Sequence, residues 1–271
     1  MISIITAIYC QRAANEIYWE NLKRYTYHPF ELIIIDNGSH DGSREFFESV
    51  GARIIQNDGN YSYPHCQNQG IAIASYDWLC FLNNDIVVAP HWDKVLLENM
   101  MMNGLEVATC CGIEQVENAK ATRALKRRWQ KIKNLLGVFG FQRRTLTWMH
   151  RWMYGDWDRF SQRRAKTFRH QIKEGFVGNT VVIHRSALSK IGLWDERIQA
   201  ADFDLYLRTK ARSLSVGDIK PMHICLDAFN HHFIRLTAKG KYPKFSDFDS
   251  LIALEAKWSP VELAWLDQLN T

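Results

Sequence analysis

Two acids stand at the ends of apolar runs. In "LIIIDNGSHDGS", residues 32–43, Leu32 to Ile35 lead into Asp36, and in "DWLCFLNND" Trp78 to Leu82 lead into Asn83, Asn84 and Asp85. A carboxylate at Asp36 can accept a hydrogen bond from a ligand N–H, such as the imide of a uracil or thymine ring. An acid such as Asp85 can supply an oxygen to a hard divalent cation bridging phosphates. Together they describe a nucleotide diphosphate site with no glycine-rich phosphate loop, since neither GxGxxG nor GxxxxGK[ST] occurs in the chain. Taken singly, each stretch also reads as a turn with a helix cap: Asn and Asp crowd into turns, Gly38 and Gly42 permit a tight one, and Asp41 or Ser43 can cap the next helix.

The elements that must position these acids follow from the apolar patterning. Leu32 to Ile35 carry no polar alternation, as in a central parallel strand covered on both faces. Strand "ISIITAIY", a helix around 13–25, the strand at 32–35, a helix near 43–50 and strand "ARII" at 52–55 alternate in the manner of a parallel sheet with crossover helices. A loop and short helix over "NDGNYSYPHCQNQGIAIAS" then lead to the strand Trp78 to Leu82. In such sheets ligands bind outside the carboxyl ends of the strands, where Asp36 and Asp85 both fall.

The 271 residues, 46% hydrophobic, suffice for a full core in one large domain or two tightly joined ones. The six cysteines form no CxxC pair and no metal-ligand spacing, the pattern of reduced thiols in a cytosol. Strand-like sequence from Ile2, with no charged leader and no apolar run of bilayer-spanning length, leads us to expect neither secretion nor a transmembrane span.

The net charge of +5 conceals an asymmetry. Residues 118–173 hold 16 of the 34 Lys and Arg but only Asp156 and Asp158 of the 29 acids, so this segment carries +14 and the remainder −9. Within it Leu125, Trp129, Ile132 and Leu136 mark one helical face among Lys126, Arg127, Lys131 and Lys133. Trp148, Trp152 and Trp157 follow in "LTWMHRWMYGDWDRF". Basic residues and tryptophans beside apolar ones suit a bilayer surface bearing anionic lipid, or the diphosphate of a lipid-linked acceptor. The alternative is a helical hairpin packed on the body with its charges in water.

At this point a resemblance enters. "ISIITAIY", "LIIIDNGSHDGS", "CQNQGIAIAS", "FLNNDIVV", "EGFVGNTVVIHRSALSKIGLWDERI" and "ADFDLYLR" occur in the order and spacing of the inverting family 2 glycosyltransferases of bacterial polysaccharide or lipopolysaccharide type. The match spans roughly residues 1–115 and 174–237. It implies an α/β GT-A fold, a mostly parallel sheet flanked by helices, here with a helical basic insert and a C-terminal helical segment. It also implies a nucleotide-sugar donor, Mn²⁺ or Mg²⁺, and transfer with inversion at the anomeric carbon.

Carried over residue by residue, the resemblance gives Asp36 the contact to the pyrimidine base. Ala7 and Tyr9 line the base pocket, and Asn68 starts the helix beneath the nucleotide. "NND" stands where the family has DXD, making Asp85 the metal ligand and Asn83 and Asn84 contacts to the donor ribose and sugar. "ADFDLYLR" resembles the ED-x-D-L motif, with Ala201 in place of Glu and Asp202 as the catalytic base; taken alone, Asp202 and Asp204 are also what a helix N-terminus favours. "FNHHFIRLT" resembles an H-x-G-S-x-T-like stretch in which His232 binds the metal, with His231 beside it on the acceptor side as the alternative, and with Arg235 as a diphosphate contact. Gly178 allows close backbone approach near the donor sugar, while Trp194 and Asp195 line the acceptor cleft.

The expected organisation is a nucleotide-sugar-binding half (1–117), the basic helical insert (118–173), an acceptor and catalytic half (174–240) and a C-terminal helical segment (241–271). The expected partners are a UDP- or dTDP-sugar in preference to a GDP-sugar, a glycan or lipid-linked acceptor, and an anionic membrane surface met through residues 118–173, with the protein cytoplasmic and peripheral on the inner membrane face. Two rivals stand beside this reading. A nucleic-acid binder would account for the +14 insert through phosphate neutralisation, but it leaves the strand-end acids without a role. A sugar-nucleotide pyrophosphorylase would carry a glycine- and arginine-rich loop after the first strand, where this chain has "TAIYCQRAANE".

Overall fold

The computed structural model describes residues 1–234 and 243–267. Strand β1 (Ile2–Ile8) lies between two parallel neighbours, β2 (Phe30–Asp36) and β4 (Trp78–Leu82), and β3 (Arg53–Gln56) extends the parallel half beyond β2. This central position is why β1 and β2 are apolar without alternation: both faces are covered. Ile33 and Ile35 join one apolar cluster and Ile34 the other, on opposite faces of the sheet. Helices α1 (Arg12–Tyr25), α2 (Ser43–Ser49) and α3 (Tyr63–Ile73) make the crossovers. Gly38 and Gly42 take φ values of 85° and 83° in the turn after β2, a region closed to most side chains.

The other half of the sheet is mixed. Strand β8 (Thr180–His184) runs antiparallel to both β4 and β6 (Val107–Cys111); β9 (His223–Phe229) is parallel to β6, and β7 (Ile172–Glu174) closes the edge antiparallel to β9. Because β8 is reversed, its first residue, Thr180, pairs with Leu82, the last of β4. The loop ahead of β8, which carries Gly178, therefore reaches the same rim as the carboxyl ends of the parallel strands. A separate ribbon of β5 (Ile86–Val87) and β10 (His231–His232) sets His232 opposite Ile86, one residue from Asp85. Helix α4 (Trp92–Asn103) follows β5.

The basic insert forms α5 (Ala119–Leu136), α6 (Arg143–Tyr154) and α7 (Trp157–Thr167), with Asn118 capping the first and Asp156 the last. The expected helical face is present, but its setting corrects the expectation of a Trp129 face laid in a membrane. Trp129, Ile132 and Leu136 are buried in the same apolar cluster as Leu146, Met149, Phe229 and Phe233, so protein, and not lipid, covers them. Trp157 is buried too, whereas Trp148 and Trp152 are exposed.

Helix α8 (Arg185–Ile191) follows β8, and α9 (Ala201–Ser215) carries Asp202 and Asp204 in its first turn. The C-terminal α10 (Leu254–Lys257) and α11 (Pro260–Asp267) pack beside α9. Among the described residues no helix is long and apolar enough to cross a membrane.

Candidate active site

The β2 end is built to hold a carboxylate with one oxygen unspent. Asp36 is fully buried; its Oδ1 accepts the Ser39 amide at 2.9 Å, and the Arg44 guanidinium lies 3.7 Å from Oδ2. Oδ2 has no hydrogen-bond donor among the described residues. A buried acceptor left without a donor costs about 1–3 kcal/mol, which the nearby Arg44 charge offsets in part. Tyr9 and Ala7 flank it at the end of β1, half-buried, with the Tyr9 ring edge-on to His40 at 6.1 Å.

Asn68 lies on α3. Its amide donates to the Trp194 carbonyl at 2.9 Å and to Glu196 at 2.8 Å, and its oxygen accepts the Trp194 amide at 3.1 Å. It ties α3 to the 194–196 loop. Asn84 is likewise turned inward, donating at 2.7 Å to Asn15 of α1, while the Asn83 backbone joins the Asn179 carbonyl at 3.1 Å.

Asp85 and His232 meet across the small ribbon, Oδ1 to Nε2, at 3.1 Å. The contact is an ion pair of the imidazole with the carboxylate, and among the described residues no group of three or more His, Cys, Asp or Glu side chains is arranged to hold a metal ion. The other ring nitrogen, Nδ1, meets Glu114, which also accepts from Asn179 Nδ2 at 3.1 Å. Burial alone would lower the His232 pKa, but the Asp85 and Glu114 carboxylates hold it well above the ordinary value. Burial would conversely raise Glu114, and the charge of His232 outweighs it and lowers that carboxyl. With a carboxylate at each ring nitrogen the imidazole is held in one orientation.

His231, one residue away, faces the opposite side. It is fully buried beside Trp129, with Nδ1 2.9 Å from the Tyr154 hydroxyl and the ring edge-on to Phe233 at 4.6 Å. Burial pushes its pKa well below the usual histidine range, so it is neutral and lies inside the insert packing, not on the acceptor side. Trp194 is also interior, edge-on to Tyr63 at 5.6 Å and Phe81 at 5.2 Å, and exposes no face for sugar stacking. Asp195 is held far below the usual carboxylate range by Arg197 and Lys257, despite burial. Arg235 lies outside the described residues.

The two acids of α9 differ sharply. Asp204 is fully buried and spent on Arg208 at 2.8 Å, Lys257 at 2.7 Å and the Trp258 indole at 2.8 Å. Among the described residues Asp202 takes one hydrogen bond, 3.0 Å from the Phe203 amide. It lies so close to Gly178 that a Cβ there would come within 1.8 Å of Oδ2. Burial raises its pKa, the Phe203 amide opposes this, and the Glu114 charge adds to it. A half-buried carboxyl with a raised pKa and an uncommitted oxygen is suited to accepting a proton.

Sequence reasoning missed Glu114 and Asn179. Glu114 follows the apolar strand "VATCC" at its carboxyl end, the signal that singled out Asp36 and Asp85.

Comparison with known proteins gives the following likenesses. The chain is 30% identical over 106 residues to an "Uncharacterized glycosyltransferase" of Haemophilus influenzae, covering 38% of this chain and 35% of that protein. Mannosyltransferase PcManGT of Pyrobaculum calidifontis, solved with GDP-Man and Mn²⁺, aligns at TM-score 0.55 and 12% identity over 89% of this chain and 58% of its own. TarS 1–349 of S. aureus aligns at TM-score 0.52 and 12% identity, over 85% and 60%. The chain thus spans less than two thirds of the proteins it matches, and the structural likenesses establish the shared fold. The sequence pattern of glycosyl transferase family 2 matches residues 3–192, and the chain belongs to that family.

Proposed function

We propose that this chain is a metal-dependent, inverting glycosyltransferase that moves a sugar from a UDP- or dTDP-sugar to a hydroxyl of a glycan or lipid-linked acceptor. The observation that carries the reading is the Asp85–His232 pair, 3.1 Å apart and backed by Glu114, on the rim that also holds Asp202. Asp36 Oδ2 accepts the imide N–H of the pyrimidine. Asp202 takes the proton of the acceptor hydroxyl as that oxygen bonds to the anomeric carbon from the face opposite the breaking bond to diphosphate. Asp85 and His232 would hold Mn²⁺ or Mg²⁺, which would supply positive charge to the departing diphosphate in place of an acid catalyst. The Mn²⁺ bound to PcManGT supports the use of a divalent metal, while its GDP-Man is a purine and not a pyrimidine donor.

A thermal-shift panel of UDP-, dTDP- and GDP-sugars with Mn²⁺ tests it. Stabilisation by one of the two pyrimidine classes, lost in Asp85→Ala and on chelation, is expected. Full activity in excess chelator, or stabilisation by nucleic acid alone, overturns it.

The same reading sets the protein in the cytoplasm, peripheral on the inner membrane face. Support comes from the outer side of the insert, where Val138, Phe139, Trp148 and Trp152 are exposed and Arg144 lies 4.6 Å over the Trp148 ring. Such a surface suits anionic lipid. The protein should co-sediment with anionic vesicles, and Trp148→Ser with Trp152→Ser should reduce this; binding unchanged in the double variant rejects the surface.

A further inference from the structure

The insert also faces the catalytic rim. Lys126, Trp129, Gln130 and Lys133 fall at i, i+3, i+4 and i+7 of α5 and form one stripe. With Ile234 and Glu114 they line a cavity of about 340 Å³. The stripe is anchored at its inner edge: Trp129 Nε1 and Lys133 Nζ converge on the Ile234 carbonyl at 3.4 and 3.5 Å. We infer that this cavity binds a phosphate or diphosphate group carried by the acceptor, an inference that rests on the glycosyltransferase reading.

Charge argues for an anion. The charged side chains that line the cavity are Lys126, Lys133 and Glu114. Lys126 makes no ion pair among the described residues. Arg123 and Lys173 add positive charge in a neighbouring cavity of about 250 Å³ that Glu114 also lines. The Trp129 ring is buried and offers no face on which a base could stack, so phosphate fits better than a nucleic acid strand.

Position argues for the acceptor and not the donor. His232 stands between two carboxylates, Asp85 on Nε2 and Glu114 on Nδ1. The donor diphosphate belongs on the Asp85 side and the cavity opens on the Glu114 side. Glu114 in turn is held by Asn179, next in the chain to Gly178, against which the Asp202 carboxylate rests. An anion at Lys126 and Lys133 is thus tied through Glu114 and Asn179 to the base that receives the acceptor proton.

The test uses the full chain in metal-free buffer with saturating UDP, titrated with inorganic pyrophosphate by calorimetry. UDP binding is measured first, because its absence would count against the donor reading and not against this one. We expect pyrophosphate binding that weakens with salt and drops about tenfold or more in Lys126→Gln with Lys133→Gln, with UDP affinity unchanged. Lys126→Glu alone, at an exposed position, should weaken it without disturbing the fold. Competition then separates the sources: displacement by a short-chain prenyl diphosphate indicates a lipid-linked acceptor, and displacement by a sugar 1-phosphate a phosphorylated glycan. Binding equal in wild type and both variants, no binding, or displacement by neither competitor overturns the proposal.

Discussion

The two halves of the sheet bring polar groups to one rim by different routes. In the parallel half each group rides at the end of a buried strand: Asp36 on β2, and Asn83 to Asp85 after β4. In the mixed half the reversed β8 presents the loop before it, a two-residue ribbon delivers His232, and Asp202 arrives on the first turn of α9. The parallel half supplies a fixed floor in which the carboxylate position follows from one strand. The mixed half assembles its groups from segments far apart in sequence, each needing a neighbour to hold it. On the proposed reading, donor recognition falls on the first side and chemistry on the second, where a base and a metal-binding imidazole would need positioning groups behind them.

The sharpest break of that comparison is at α9. Asp202→Asn should lower transfer about 100- to 10,000-fold while nucleotide affinity stays within about twofold, because the base acts only once the donor is seated. Asp204→Asn should do the reverse. It leaves Arg208 and Lys257 facing a neutral amide in a buried site, costing about 3 kcal/mol of stability. Chemical denaturation and initial rates on both variants decide it; equal loss of binding and rate in Asp202→Asn would remove its role as base.

Gly178→Ala comes next. The added methyl would occupy the place of Asp202 Oδ2, 1.8 Å away, and displacing a reacting group by about 1 Å costs about 100-fold. The loss should appear in kcat, with donor KM little changed. An unaltered kcat would mean that the base moves freely and that the close approach is only packing.

Glu114→Gln sharpens the contrast by a smaller step. It removes the charge behind His232 without emptying its place, and such outer partners are worth about 10- to 100-fold in metal affinity. Titration with Mn²⁺ should show that weakening with UDP affinity in the absence of metal unaffected. No change in Mn²⁺ affinity would reduce Glu114 to a structural partner.

How far these groups could be read from the sequence follows the same division. The parallel half was legible because a strand buried on both faces and ending in an acid is visible in the residues themselves. The reversal of β8 was not, since "TVVIH" reads alike in either direction. His231 and His232 differ only in which side of a two-residue strand they occupy, and a one-residue shift exchanges them. The face of Trp129, Ile132 and Leu136 was legible as a face, but periodicity is the same whether protein or lipid covers it. The hydrogen bonds of Asn68 were not legible because its partners, Trp194 and Glu196, lie far along the chain. Glu114 carried the strand-end signal and was overlooked.

The smallest predicted effect concerns what Asp202 costs the fold. Burial raises its pKa in the native protein, against the pull of the Phe203 amide. A carboxyl whose folded pKa exceeds its unfolded value of about 3.9 adds stability that is fully present below that value and is lost as pH rises through the folded one. At neutral pH the ionised Asp202 therefore weighs against the native state. Asp202→Asn, neutral and of the same shape, should raise Tm modestly at pH 7, and the gain should vanish in acid where both side chains are uncharged. The rate of the wild-type enzyme should fall on its acid side with a midpoint above the ordinary aspartate value, as the base becomes protonated. Melting curves of both proteins across pH and the acid limb of the wild-type rate read the same group twice. If the variant melts lower at pH 7, Asp202 is held by contacts that favour its charge, and the buried, uncommitted carboxyl assigned to the mixed half of the sheet is wrong.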